Sequence, residues 1–267
     1  MGTYMNQGRG GNLVVQTREA SGPYAVMNVV VPVSFFFGFE PEDPASQVPS
    51  DTGAPAWTGR EEESFKRLFQ EVVRTAWRHK YPVYGRRRSG NGSSSGGRHL
   101  GFDSYTSVKV DVEVQVADVP PGDTSSQKKN TVWVFRVPRG RPKRYRACGD
   151  WRTAVALVYE DDVLESRPHG YPFIVVPHEA GHLMGLEHIG VNNPGCMTDP
   201  SRGILLSFGG GNTDVCYMEG TTWSPNIMGT GNLVYQETYD VFAGLLDRIV
   251  PDFIWRVERW GSGTRLG

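Results

Sequence analysis

Pro177-His178-Glu179-Ala180-Gly181-His182-Leu183-Met184-Gly185-Leu186-Glu187-His188 is the stretch around which the rest of this chain is organised. On a helix, side chains four residues apart lie one above the other on the same face, so His178 and His182 can aim both imidazoles at one point. Two stacked imidazoles are a zinc geometry. Glu179 would stand beside the ion rather than on it, where a carboxylate can take a proton from water. A continuing helix would carry His188 away from that point, so the chain must break and turn back. Gly185 can adopt the left-handed backbone that does this. Three neutral imidazoles then fill three tetrahedral positions and leave the fourth for water.

The pattern H-E-x-x-H-x-x-G-x-x-H from His178 to His188 resembles that of the metzincin family of zinc metallopeptidases. A second element carries the same resemblance: Ser224-Pro225-Asn226-Ile227-Met228-Gly229-Thr230 looks like the family's Met-turn, and Met228 follows His188 by forty positions. The resemblance implies a Zn2+ ion on His178, His182 and His188, Glu179 as general base, and Met228 packed beneath the histidines without bonding the ion. It implies an edge strand near the metal that pairs with an extended substrate, and order along the chain offers Thr153 to Tyr159 for it, an ordinary internal strand being the other reading. Two departures limit the carry-over. The residue after the third histidine, which marks several subfamilies, is Ile189, so no subfamily is assigned. Thr230 stands where some members place a zinc-reaching tyrosine, so no phenol is expected there.

With 267 residues the chain is long enough for a proper core, and a net charge of −1 gives no global field pointing to nucleic acid or an anionic membrane. Arg86 to Arg98 and Arg139 to Arg146 are basic, yet no aromatic residues interleave the three adjacent arginines of the first run, and both read as solvated loops. No apolar run is long enough to predict a transmembrane helix. Ala25 to Phe37 is interrupted by Asn28, Pro32 and Ser34, lacks a basic start and a small-residue cleavage site, and reads as a buried strand rather than a signal peptide. His79, His99 and His169 match no motif and are expected on the surface or in loops.

In order, residues 1–22 are polar and Gly-rich and are expected to form a flexible arm. Val29 to Phe37 predicts the first strand. Thr58 and Glu61 have capping-box spacing, and Phe65, Leu68, Phe69, Val72, Val73, Ala76 and Trp77 recur with the helical period, predicting a helix from about Gly59 to Lys80. Tyr81 to Tyr84 offers a short strand. Val108, Val110, Val112, Val114 and Val116 alternate with polar residues as in a half-buried strand, and Thr131 to Arg136 is expected as its hairpin partner. Pro177 must lie in the first turn of the metal-site helix, because deeper in it would remove a backbone hydrogen bond. Tyr235 to Ile249 reads as a last helix ended by Pro251, with Phe253, Ile254 and Trp255 packing back on the core.

These readings combine into an α/β, metzincin-like fold: a mixed twisted sheet with a packed helix, a zinc-site helix and a C-terminal helical subdomain. Residues 23–190 would form the N-terminal part of the catalytic domain and 191–267 the C-terminal part with the Met-turn. The function implied is zinc-dependent endopeptidase, acting on a protein or peptide substrate, as a monomer with no nucleic-acid partner and no membrane span. A stand-alone metallopeptidase without a visible signal peptide is compatible with a bacterial effector toxin delivered outside the producing cytoplasm, for which an inhibitor or immunity protein would be a partner. Two other readings stay open, a zinc-binding scaffold without turnover and an amidase acting on peptidoglycan. Cys196 and Cys216 flank the loop before the Met-turn, where a bridge would add about 3 kcal/mol, while three reduced thiols fit the odd cysteine count.

Overall fold

A sixteen-residue strand, Tyr24–Phe39 (β3), forms the spine of the sheet. A computed structural model describes residues 2–6, 13–19, 24–39, 56–88, 105–117, 130–137, 143, 147–150, 154–167, 172–189, 221 and 225–257. Among these are the strands Gly2–Asn6 (β1), Leu13–Glu19 (β2), Val83–Arg87 (β4), Tyr105–Val116 (β5), Asn130–Arg136 (β6), Cys148–Asp150 (β7), Val155–Tyr159 (β8) and Phe253–Val257 (β9). Three helices accompany them: Gly59–Trp77 (α1), Val175–Leu183 (α2) and Gln236–Ile249 (α3). The result is a mixed α/β fold with a curled mixed sheet in the order β7-β8-β6-β3-β5-β4-β9, β2 pairing β3 and β1 pairing β2 off this path.

The spine explains why β5 and β6 are not the expected hairpin. Tyr24 to Val33 of β3 pairs in parallel with β5, and Val33 to Phe39 pairs in parallel with β6. Val33 is opposite both Val116 and Asn130, so β6 begins on one side of the spine at the level where β5 ends on the other, and both run in the direction of β3.

Within residues 1–22, read from composition as an arm, the described residues 2–6 and 13–19 are strands. β1 and β2 form an antiparallel pair, and β2 runs against Ala25 to Val30 of β3. β2 is bonded to the spine and β1 to β2, a pairing that composition does not register, and Val15 of β2 is fully buried.

One sheet face packs on the helices. Val29, Val31 and Val33 of β3, Val108, Val110, Val112 and Val114 of β5, and Val132 and Val134 of β6 share one core with Phe65, Phe69, Val73 and Trp77 of α1. Each fully buried side chain of this size contributes about 1.5–3 kcal/mol of hydrophobic free energy. Helix α1 starts where the capping box predicts: Glu61 N donates to Thr58 Oγ1 at 3.3 Å, and Thr58 N donates to Glu61 Oε2 at 2.8 Å. Arg136 of β6 joins Glu61 at 3.1 Å and Glu160 at 2.7 Å, tying that helix start to the sheet.

The C-terminal segment contributes to the same core. Tyr239, Phe242, Leu245 and Leu246 of α3 belong to it, as do Phe253, Trp255 and Val257 of β9, while Ile254 faces outward. Among the described residues no helix is long and apolar enough to cross a membrane. His79 lies exposed just after α1, whereas His99, His169, Cys196, Cys216 and most of both basic runs lie outside the described residues.

Candidate metal centre

Helix α2 is short and held at both ends. Pro177 falls in its first turn, as the sequence requires, and the Pro177 carbonyl accepts a 2.9 Å hydrogen bond from Trp77 Nε1 at the end of α1. Ile174 N, just before the helix, donates to Asn232 Oδ1 at 2.8 Å, and Val176 N donates to the Asp162 carbonyl at 3.3 Å. After Leu183 the chain turns through Gly185, whose φ of 92° is the left-handed conformation expected of it. Leu186 N then donates back to the Gly181 carbonyl at 3.0 Å, which sends the chain back toward the helix instead of along it.

This turn brings the third histidine to the other two. The Nε2 atoms of His178, His182 and His188 form a triangle with sides of 3.2, 3.1 and 3.2 Å. Nitrogen ligands at about 2.0–2.1 Å from a tetrahedral ion stand about 3.3–3.4 Å apart, so this triangle is close to the face a metal ion needs. The three rings form the grouping that can hold a metal ion among the described residues.

The tautomers follow from the backbone. His178 Nδ1 lies 2.7 Å from the Ile227 carbonyl, and His182 Nδ1 lies 2.7 Å from the Leu186 carbonyl. A carbonyl only accepts, so each Nδ1 carries the proton and each neutral ring presents a bare Nε2 lone pair to the centre. Burial pushes the His178 pKa down to about 3, helped by His182 and opposed by the Ile227 carbonyl. Burial first, then His182 and His178, likewise hold His188 well below the ordinary imidazole range. Neutral lone pairs converging at this distance repel one another unless a cation lies among them, so the residues fit a metal ion.

Glu179 is buried beside the ligands, and its Oε2 has no hydrogen-bond partner. Burial raises its pKa well above the ordinary carboxylate range, and the nearby Asp162 adds to the rise. Gly149 of β7 rests directly on this part of the helix: a Cβ there would stand 2.9 Å from His182 Cβ and 3.0 Å from Glu179 Oε2. β7 therefore packs directly on the site. The expected segment, β8, is internal, with β6 on one side in parallel and β7 on the other. β7 has three residues, too few to produce a readable hydrophobic alternation.

Met228 is buried against Gly181 of α2. Its carbonyl accepts from Ile189 N at 3.3 Å, so the residue that failed to mark a subfamily ties the third-histidine segment to this turn. Thr230 is buried.

Sequence reasoning selected the three histidines and Glu179, and the structure brings them together. The residues that hold them are less visible: Trp77 reads only as one position of a helical stripe, Asn226 only as part of the Met-turn-like stretch, and Gly149 and Asn232 belong to no local pattern. Comparison of the whole chain with protein-family models, curated proteins and solved structures returns no match.

Proposed function

We propose that this protein is a metzincin-like zinc-dependent endopeptidase, with His178, His182 and His188 as metal ligands and Glu179 as general base. The observation that carries the reading is the triangle of Nε2 atoms with a buried carboxylate, its Oε2 without a hydrogen-bond partner, on the residue after His178 in the same helix. A structural metal site usually supplies four protein ligands, often cysteines, whereas among the described residues this grouping has three and no cysteine. When bound, zinc would supply Lewis acidity, polarising a carbonyl and lowering the pKa of a coordinated water to about 7.

The chain's own residues do the rest. The Ile227 and Leu186 carbonyls hold the His178 and His182 protons on Nδ1, keeping both rings oriented toward the centre. Glu179 accepts the proton of the attacking water and passes it to the leaving amine. Its burial serves this role, because a carboxylate raised in pKa by desolvation is a stronger base than one in water. The short edge strand β7 packs over Glu179 through Gly149 and excludes solvent from that side of the carboxylate.

The test is a purified-protein assay on an unstructured protein and on cell-wall material, each with and without a chelator. Chelator-sensitive cleavage of the polypeptide, restored by zinc, supports the proposal. Cleavage of cell-wall material alone would redirect it to peptidoglycan amide hydrolysis. One bound zinc per chain with no turnover on either would leave a binding scaffold.

A further inference from the structure

We infer that Asn226 and Thr238 are positioning residues for the metal centre, fixing through one peptide plane which nitrogen of His178 faces the metal. The inference rests on the metal-site part of the reading above, not on the substrate. Asn226 is completely buried and Thr238 nearly so, and their side chains bond to each other and to Met228 N. Buried polar groups of this kind persist when their hydrogen bonds are made. Here the bonds lead to His178.

A peptide unit is planar and trans, so the carbonyl of one residue and the N–H of the next point in opposite directions. The unit between Ile227 and Met228 is held at both ends. Met228 N donates to Asn226 Oδ1 at 2.8 Å, and the Ile227 carbonyl opposite it lies 2.7 Å from His178 Nδ1. Rotating this plane would break both bonds together. The Asn226 amide is itself fixed by helix α3, because its Nδ2 donates to Thr238 Oγ1 at 2.8 Å and the Thr238 hydroxyl lies 3.2 Å from Oδ1. The Asn226 carbonyl closes the turn by accepting from Gly229 N at 2.8 Å and Gly231 N at 3.2 Å, and Ile227 N is occupied by the Leu233 carbonyl at 2.7 Å.

The chain of contact therefore runs from Thr238 on α3, through the Asn226 amide and one peptide plane, to the His178 tautomer. With the plane held, His178 carries its proton on Nδ1 and presents Nε2 to the other two rings. With it released, the ring is free to exchange tautomer and orientation, and one ligand of the triangle is lost for part of the time.

The experiment uses the full chain with Asn226→Ala, Thr238→Val and Thr238→Ser. Two readouts are taken: zinc affinity by competition with a chromophoric chelator, and the His178 tautomer in metal-free protein by long-range 1H–15N NMR. Asn226→Ala and Thr238→Val should weaken zinc binding roughly 10–100-fold, the range for loss of an outer partner of a metal-ligating histidine. The Nδ1–H share of His178 should fall in both, and Thr238→Ser should restore both readouts. Thr238→Val is the gentler change, so the test survives if Asn226→Ala does not fold. Lowered thermal stability with parental zinc affinity and an unchanged tautomer would show a merely structural pair and overturn the inference. If the parental protein binds no zinc, the metal-site reading falls, and the tautomer measurement still decides whether Asn226 and Thr238 set the His178 ring.

Discussion

Gly181 lies against the thioether of Met228: a Cβ on the glycine would stand 2.5 Å from Met228 Sδ and 3.0 Å from Trp77 Cζ2. The glycine falls between the two helical metal-ligand candidates, so the missing side chain lets both the turn below and the end of α1 press against the helix that carries them. Met228 at 1 % exposure and Trp77 at 0 % are enclosed by the core, so neither can yield by swinging out into solvent.

Gly181→Ala therefore sets two effects against each other. Alanine in a helix interior is normally favoured over glycine by about 1 kcal/mol. Overpacking a filled site costs about 1–3 kcal/mol, and with both neighbours pinned the cost wins. The metal-free variant should unfold at lower urea concentration than the parent, by up to about 2 kcal/mol. A variant more stable than the parent would mean that the Met228 contact yields freely.

Gly149→Ala acts on the opposite side of α2. Its Cβ would meet His182 Cβ at 2.9 Å and the Glu179 carbonyl and Oε2 at 3.0 Å. Two of those atoms are rooted in the helix, so β7, which pairs only with β8 among the described residues, must lift or the Glu179 carboxyl must rotate. Zinc stoichiometry should be unchanged while turnover falls by as much as about 100-fold, the scale of a 1 Å misplacement. Parental turnover in a folded Gly149→Ala protein would remove β7 from the account of the site.

The histidine spacing is legible because the three candidate ligands lie within eleven residues, where local geometry decides what meets what. Helix α1 was legible for the same reason, its cap and its apolar stripe being written at fixed short offsets. The sheet order was not. Val108 to Val116 reads as a strand from its alternation, yet nothing local says that β3 will separate it from Thr131 to Arg136. Pairing between distant segments leaves no period in either one. Asn226 was hidden differently, since its meaning depends on Thr238 twelve residues later and on His178 forty-eight residues earlier.

Acidification gives a prediction with a defined sign. His178 ordinarily titrates near 6.5 but is held to about 3 in the fold, and His188 is displaced in the same direction, mainly by burial. Below pH 6.5 the unfolded chain takes up protons that these folded rings refuse, so their stability contribution, present above 6.5, is lost as pH falls, for His178 down to about 3. Glu179 has the opposite sign: raised above 4.5 by burial and by Asp162, it contributes stability below 4.5 that is lost as pH rises through its folded value. In metal-free protein, Glu179→Gln removes the opposing contribution. Urea midpoints taken from pH 6.5 down to 4.5 should therefore fall more steeply in the variant than in the parent, and an equal or shallower fall would contradict the assigned direction for Glu179.

The same substitution separates metal binding from proton transfer. Glu179 has a buried Oε2 with no partner, so the folded protein gains nothing there from a carboxylate that an amide would not give. Glu179→Gln should fold at least as well as the parent near neutral pH and hold zinc at parental stoichiometry, since the ligands are the three imidazoles. Hydrolysis should nevertheless fall by roughly 10²–10⁴-fold, the scale for loss of general base catalysis, because an amide cannot accept the proton of water. His182→Ala should lose metal and turnover together, since the centre would keep His178 and His188 alone. A scaffold without turnover would instead keep its partner binding in Glu179→Gln and show no hydrolysis in the parent. Metal content and turnover measured on the same preparations distinguish these outcomes, and a Glu179→Gln protein that cleaves its substrate at the parental rate would refute the role given to this carboxylate.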